Sequence, residues 1–107
     1  MIKGEIWFVD LPAGRGHEQK GERPAIVMGF ANNMVTVVPI TASEGAANFP
    51  YAYVVEANKE NQLAVDSVAL VFQIVTLDKT RLKRRTGFLR KEQQASVDVL
   101  LRRLLSL

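Results

Sequence analysis

Cysteine is missing from this chain, which removes disulfide bonds, thiolate metal sites and a thiol nucleophile together. A reducing cytoplasm is the compartment that such a composition suits. The single histidine, His17, leaves a zinc site short of its usual ligands, and neither metal nor cofactor is expected. No apolar run approaches the roughly 20 residues that span a bilayer, so no membrane association is expected. The opening Met1-Ile2-Lys3-Gly4-Glu5 also lacks the apolar centre of a signal peptide. Internal repeats and linkers are absent, and the 107 residues read as one domain, 1–107.

Acidic residues are scarce in one region. The net charge of +3 is mild, but from Lys79 to the end nine Lys or Arg stand against only Glu92 and Asp98. The excess is densest in Arg81-Leu82-Lys83-Arg84-Arg85. Such a run either attracts nucleic acid or an acidic protein, or is a solvated charged surface. A hydrophobic fraction of 48% fits a folded globule rather than a disordered tail.

The most informative stretch runs from Gly14 to Val27. It opens as a loop with three glycines, His17 and Glu18, and closes through Arg23-Pro24 into an apolar strand. Pro24 keeps Arg23 out of helical geometry, so the guanidinium enters the strand extended, beside a loop carrying proton-transfer groups. That layout suits phosphate chemistry.

In chain order, Gly4 to Asp10 reads as a first strand and Arg23 to Phe30 as a second. Asn32-Asn33 reads as a hairpin turn and Met34 to Thr41 as a third strand. Pro39 cannot donate to a ladder, which puts that end of the strand at an edge or a bulge. Ala42 to Pro50 is a polar loop, Tyr51 to Glu56 a fourth strand, and Asn58 to Asn61 a turn. Val65 to Thr76, the most apolar run, reads as a central strand bent near Gln73. Asp78 caps a helical turn, and Gly87 to Leu89 adds a short strand. The tail is a helix with Val97, Leu100, Leu101, Leu104 and Leu105 on one face and Lys91, Gln94, Asp98 and Arg102 on the other. The expected fold is mainly β with one C-terminal helix: a small SH3-like barrel or strongly bent antiparallel sheet.

The side chains that could do chemistry are His17, Glu18, Arg23, Thr41, Ser43 and Gln73. In a hairpin turning at Asn32-Asn33, residues whose numbers sum to about 64 or 65 face each other, which sets Arg23 opposite Thr41. Taken alone, Arg23 could instead pair with Glu22 or Glu18. Gln73 either satisfies a buried backbone group or reaches a ligand. Ser67 has no base beside it and is expected to cap a backbone group.

These residues carry a resemblance. Gly4-Glu5-Ile6-Trp7, Gly16-His17-Glu18-Gln19 with Arg23-Pro24, and Pro39-Ile40-Thr41-Ala42 resemble the MazF/PemK toxins. Asp66-Ser67-Val68, Gln73-Ile74 and Thr76 to Leu82 continue the match in the same order and spacing, over almost the whole chain. The resemblance implies the toxin of a type II toxin–antitoxin pair, folded as a CcdB-like barrel and acting as a symmetric homodimer. It implies metal-independent, sequence-selective cleavage of single-stranded RNA, blocked by an antitoxin's disordered acidic tail. Arg23 and Thr41 match the family's catalytic arginine and threonine, and Leu11 to Glu22 the gate over the RNA groove. On that basis Arg23, Thr41 and Glu18 are the expected catalytic residues. His17, Gln19, Pro24, Ser43, Phe72 and Gln73 are the expected substrate-binding ones.

Two positions depart from the pattern. Phe72 stands where some members carry an acid, and Val75 where many carry arginine, so Phe72 is available to stack a base instead. Two other readings follow: a catalytically weak or inactive module that holds RNA or an antitoxin, and a CcdB-like gyrase inhibitor acting through the helix end.

Overall fold

The computed structural model describes residues 1–12, 16 and 21–107. Among these, β1 (Glu5–Leu11), β2 (Gly21–Ala31) and β3 (Met34–Thr41) form an antiparallel meander. Then come β4 (Ala52–Val55), β5 (Ser67–Leu70), β6 (Val75–Asp78), β7 (Leu82–Phe88) and the helix α1 (Lys91–Leu105). The strand order is β4-β5-β3-β2-β1-β7, with β6 also paired to β3. The expected mainly β fold with a terminal helix is therefore found, in its bent-sheet form. The barrel does not close, because β4 and β7 end the sheet without pairing to each other.

The valine-rich hairpin is buried from both sides. Ile6, Ile26, Val38 and Ile40 face one core with Val55, Ala69, Val71, Leu89 and Val97. Val9, Ala25, Val27, Val35 and Val37 face a second core with Leu11 and Leu77. Alternating β-branched side chains thus serve two cores from a single strand pair. The turn between them is the expected one, with Asn32 at φ 53°, a left-handed position asparagine tolerates.

Two expectations are corrected. Pro39 lies neither at an edge nor at the β2–β3 bulge, which falls between Val27 and Gly29. It lies where β3 changes partner: the β6 ladder ends at Val37↔Val75 and the β5 ladder begins at Ile40↔Ala69. A residue with no N–H fits a gap between two ladders. The apolar run from Val65 is likewise two strands rather than one bent strand, because a one-turn 3-10 helix at Val71–Gln73 separates β5 from β6. Its apolarity reflects burial, which periodicity alone cannot assign to a continuous strand.

Asp78 does cap its turn, accepting from the Thr80 N–H at 2.9 Å. On α1, Val97 is fully buried and Leu100 and Leu101 pack on the core, while Leu105 is 52% exposed as the last turn outruns the sheet. No helix among the described residues is long and apolar enough to cross a membrane.

The loop before β5 is pinned to the helix by amides. Asn58 and Asn61 exchange side chain-to-backbone bonds of 2.8 and 3.0 Å, and the Asn61 Nδ2 and Gln93 Nε2 both donate to the Glu56 carbonyl. Gly87 of β7 lies directly beneath this loop. A β-carbon there would overlap the Glu60 carbonyl oxygen and sit 2.9 Å from the Asn61 carbonyl.

Two stability predictions follow. Gly87→Ala should destabilise by about 1–3 kcal/mol, since the obstacle is backbone. Denaturant unfolding with an unchanged midpoint would contradict the packing. Glu5 is almost buried, which works against its charge, but the Trp7 indole N–H at 3.1 Å, a backbone bond at Ile2 and Arg85 at 3.1 Å outweigh this and lower its pKa. A lowered carboxylate stabilises above its ordinary value, and that contribution is lost as pH falls through the folded-state value. Glu5→Gln should therefore be less stable than wild type at pH 7 and lose less on acidification, as read by thermal melts between pH 7 and 3.

Candidate active site

Arg23 is held by β2, where its Cα pairs with Val9 of β1 and its side chain is exposed. Thr41 ends β3, paired with Val68 of β5. The β2–β3 pairs run Val27↔Val37, Ile26↔Val38 and Ala25↔Pro39. Arg23 and Thr41 stand two residues further along each strand in that register. Both share the parity of Ala25, Val27, Val35 and Val37, so both belong to the same face of the sheet.

The two side chains differ in exposure. Thr41 is 6% exposed and its Oγ1 accepts the Ser43 N–H at 3.2 Å. That contact fixes the oxygen and leaves its own hydrogen to be donated. Ser43 is exposed and precedes a one-turn 3-10 helix at Glu44–Asn48. Pro24 is not brought into this group: it pairs with Phe8, on the face opposite Arg23. Its ring restricts the backbone at Arg23 to extended geometry. His17, Glu18 and Gln19 lie outside the described residues, as does part of the Leu11 to Glu22 loop.

Phe72 and Gln73 sit on the 3-10 turn between β5 and β6. Phe72 packs on the small cluster of Ala46, Val68 and Leu70, and Val68 is the strand partner of Thr41. With Gln73 it lines a cavity completed by Phe49, Pro50 and Tyr51. Sequence reasoning passed over those three as the end of a polar loop and the start of a strand. The available signal was the run Phe49-Pro50-Tyr51 itself, two aromatics around a proline where a loop has no core to fill. Ser67, as expected, donates to the Val65 carbonyl at 2.9 Å and caps the backbone.

The basic run lies along the outer strand. Lys79 to Arg90 holds six cations and no acid. Arg81, Arg85 and Arg90 pair with Asp10, Glu5 and Glu60 at 3.6, 3.1 and 2.9 Å, while Lys79 and Arg84 lie over the Phe30 and Phe8 rings. Among the described residues no group of three His, Cys, Asp or Glu is placed to hold a metal ion.

Comparison with known proteins gives one consistent picture. Residues 2–105 match the family model described as PemK-like, MazF-like toxin of type II toxin–antitoxin system. Endoribonuclease MazF of Staphylococcus epidermidis is 35% identical over 101 residues, spanning 90% of this chain and 83% of that protein. MazF of Deinococcus radiodurans superposes with a TM-score of 0.83 at 24% identity, covering 100% of this chain and 97% of the other. The MazE–MazF structure of the same organism superposes with a TM-score of 0.78 at 23% identity, covering 100% of this chain and 96% of the other. At these identities the superpositions speak to the fold alone.

Thr41→Val keeps the shape and removes the acceptor for the Ser43 N–H. It should lower stability by about 0.5–1.5 kcal/mol with an unchanged far-ultraviolet dichroism spectrum. A melting temperature equal to wild type would show that this bond does not hold the loop.

Proposed function

Because the chain belongs to the PemK-like, MazF-like toxin family of type II toxin–antitoxin systems, we propose that it is a sequence-selective, metal-independent endoribonuclease acting on single-stranded RNA. The observation that carries this reading is the register that sets Arg23 and Thr41 at neighbouring strand ends on one face. In the proposed reaction a ribose 2′-hydroxyl attacks the adjacent phosphorus. The bond to the 5′-oxygen breaks, leaving a cyclic phosphate and a 5′-hydroxyl. Negative charge gathers on the non-bridging oxygens, where the planar guanidinium of Arg23 can hold two of them by paired hydrogen bonds. The Thr41 hydroxyl, its oxygen fixed by Ser43, donates to the same phosphate. Neither group is suited to remove the 2′-proton, a task that falls to Glu18 as general base. A guanidinium supplies the positive charge that a metal would otherwise bring.

The partners follow from charge. The cation-rich, acid-free run from Lys79 to Arg90 suits the acidic disordered tail of a cognate antitoxin. A homodimer would extend the basic surface across two subunits and let a small chain grip several nucleotides. A second reading is a binder without turnover, favoured by the low exposure of Thr41 and by Phe72 and Val75 at the departing positions.

Purified protein should cut single-stranded RNA in the presence of EDTA and leave 5′-hydroxyl ends at a short preferred sequence. Arg23→Ala should slow cleavage by about 10²–10³-fold. Undiminished cleavage in that variant would remove Arg23 from the reaction, and RNA bound but uncut by wild type would favour the binder.

A further inference from the structure

A second cavity, of about 450 Å³, lies between the Asn58–Asn61 loop and the end of β7. Lys59, Glu60 and Gln62 line one side, and Arg85, Gly87 and Phe88 the other. That volume falls in the range of small-molecule sites. The two sides are tied together, since the Phe88 N–H donates to the Glu60 carbonyl at 3.0 Å and Gly87 leaves room for that approach. The cavity is distinct from the candidate active site. Phe88 pairs with Glu5 at the start of β1, whereas Arg23 pairs with Val9, about 13 Å further along that strand.

The lining combines cations with a flat ring and an amide. Lys59 comes from the loop and Arg85 from β7, so positive charge bounds the cavity from both sides. Arg85 meets Glu5 through its Nε, which leaves both terminal nitrogens to form a fork on a phosphate. Lys59 makes no ion pair among the described residues. Glu60 is the one acid in the described lining, and Arg90 holds its Oε2 through two nitrogens at 3.0 and 2.9 Å. Phe88 is 43% exposed, presenting its ring to the cavity rather than to the core. Gln62 gives its Nε2 to the Lys59 carbonyl, so its Oε1 is left to accept. An exocyclic amino group such as N6 of adenine is the complement of that oxygen. Gln62 also holds φ 58°, a left-handed conformation that collects at functional sites.

We propose that this cavity binds an adenine nucleotide, with its phosphate on Lys59 and Arg85, its base on the Phe88 ring and its amino group on Gln62. A simple anion would engage the cations without the ring, and an uncharged nucleoside the ring without the cations. A nucleotide engages both. The proposal stands apart from RNA cleavage and asks nothing of Arg23 or Thr41.

The test is calorimetric titration of the full chain with adenosine 5′-monophosphate, adenosine, uridine 5′-monophosphate and inorganic phosphate, with each variant checked for folding by thermal melt. Adenosine 5′-monophosphate should bind at least about 10-fold more tightly than adenosine or inorganic phosphate, because it alone reaches both halves of the site. Uridine 5′-monophosphate, without an exocyclic amino group, should bind more weakly. Phe88→Ala should weaken the adenine nucleotide by about 5–100-fold and Phe88→Tyr should retain it. Lys59→Gln should weaken the nucleotide and leave adenosine unchanged, and Arg23→Ala should leave both unchanged. Trp7, the chain's one tryptophan, bonds to Glu5 and Glu5 to Arg85, so its emission should change as the nucleotide binds. Absence of heat and of any emission change at millimolar nucleotide overturns the proposal. So does equal affinity for adenosine and its monophosphate, or affinity unchanged in folded Phe88→Ala. Binding that survives Lys59→Gln and Phe88→Ala but is lost in Arg23→Ala would place the nucleotide at the candidate active site and overturn it as well.

Discussion

The β2–β3 ladder is the constraint on which the rest depends. It supplies alternate side chains to two separate cores, and its register, continued two residues past Ala25↔Pro39, sets Arg23 and Thr41 on one face of adjacent strands. A slip of one residue would turn every valine to the wrong core and move the two polar groups to opposite faces. The same burial that stabilises the hairpin therefore fixes where Arg23 and Thr41 stand along their strands.

The change of partner along β3 matters nearly as much. β6 takes its first half and β5 its end, so the chain between them must turn within three residues, Val71–Gln73. That forced turn lifts Phe72 and Gln73 out of the sheet and into the wall of the cavity. Pro39, lacking an N–H, stands at the junction that makes the turn necessary.

Much of this was legible in the sequence, for identifiable reasons. Asn32-Asn33 announced the hairpin turn, alternating β-branched residues its strands, and leucine spacing the helix. The hairpin arithmetic holds for the pairs Ala25↔Pro39, Ile26↔Val38 and Val27↔Val37, whose numbers sum to 64. What stayed hidden was non-local. Nothing in Val65 to Thr76 distinguishes one buried strand from two strands served by different parts of β3, since both read as continuous apolarity. Phe49-Pro50-Tyr51 escaped because its meaning depends on Phe72, some twenty residues later, arriving on the other side of the cavity. Gln93 carries no signal of its own in the sequence, since its burial follows only from Asn58 and Glu56 packed beside it.

The amide seam joining the Asn58–Asn61 loop to α1 carries one more consequence. Its members are neutral at every physiological pH and are not screened by dissolved ions, unlike contacts between fixed charges and a polyanion. Raised ionic strength can thus weaken the neighbouring Arg90–Glu60 pair while these amide bonds keep helix and loop joined. The joint therefore rests on two kinds of bond, only one of which responds to dissolved electrolyte.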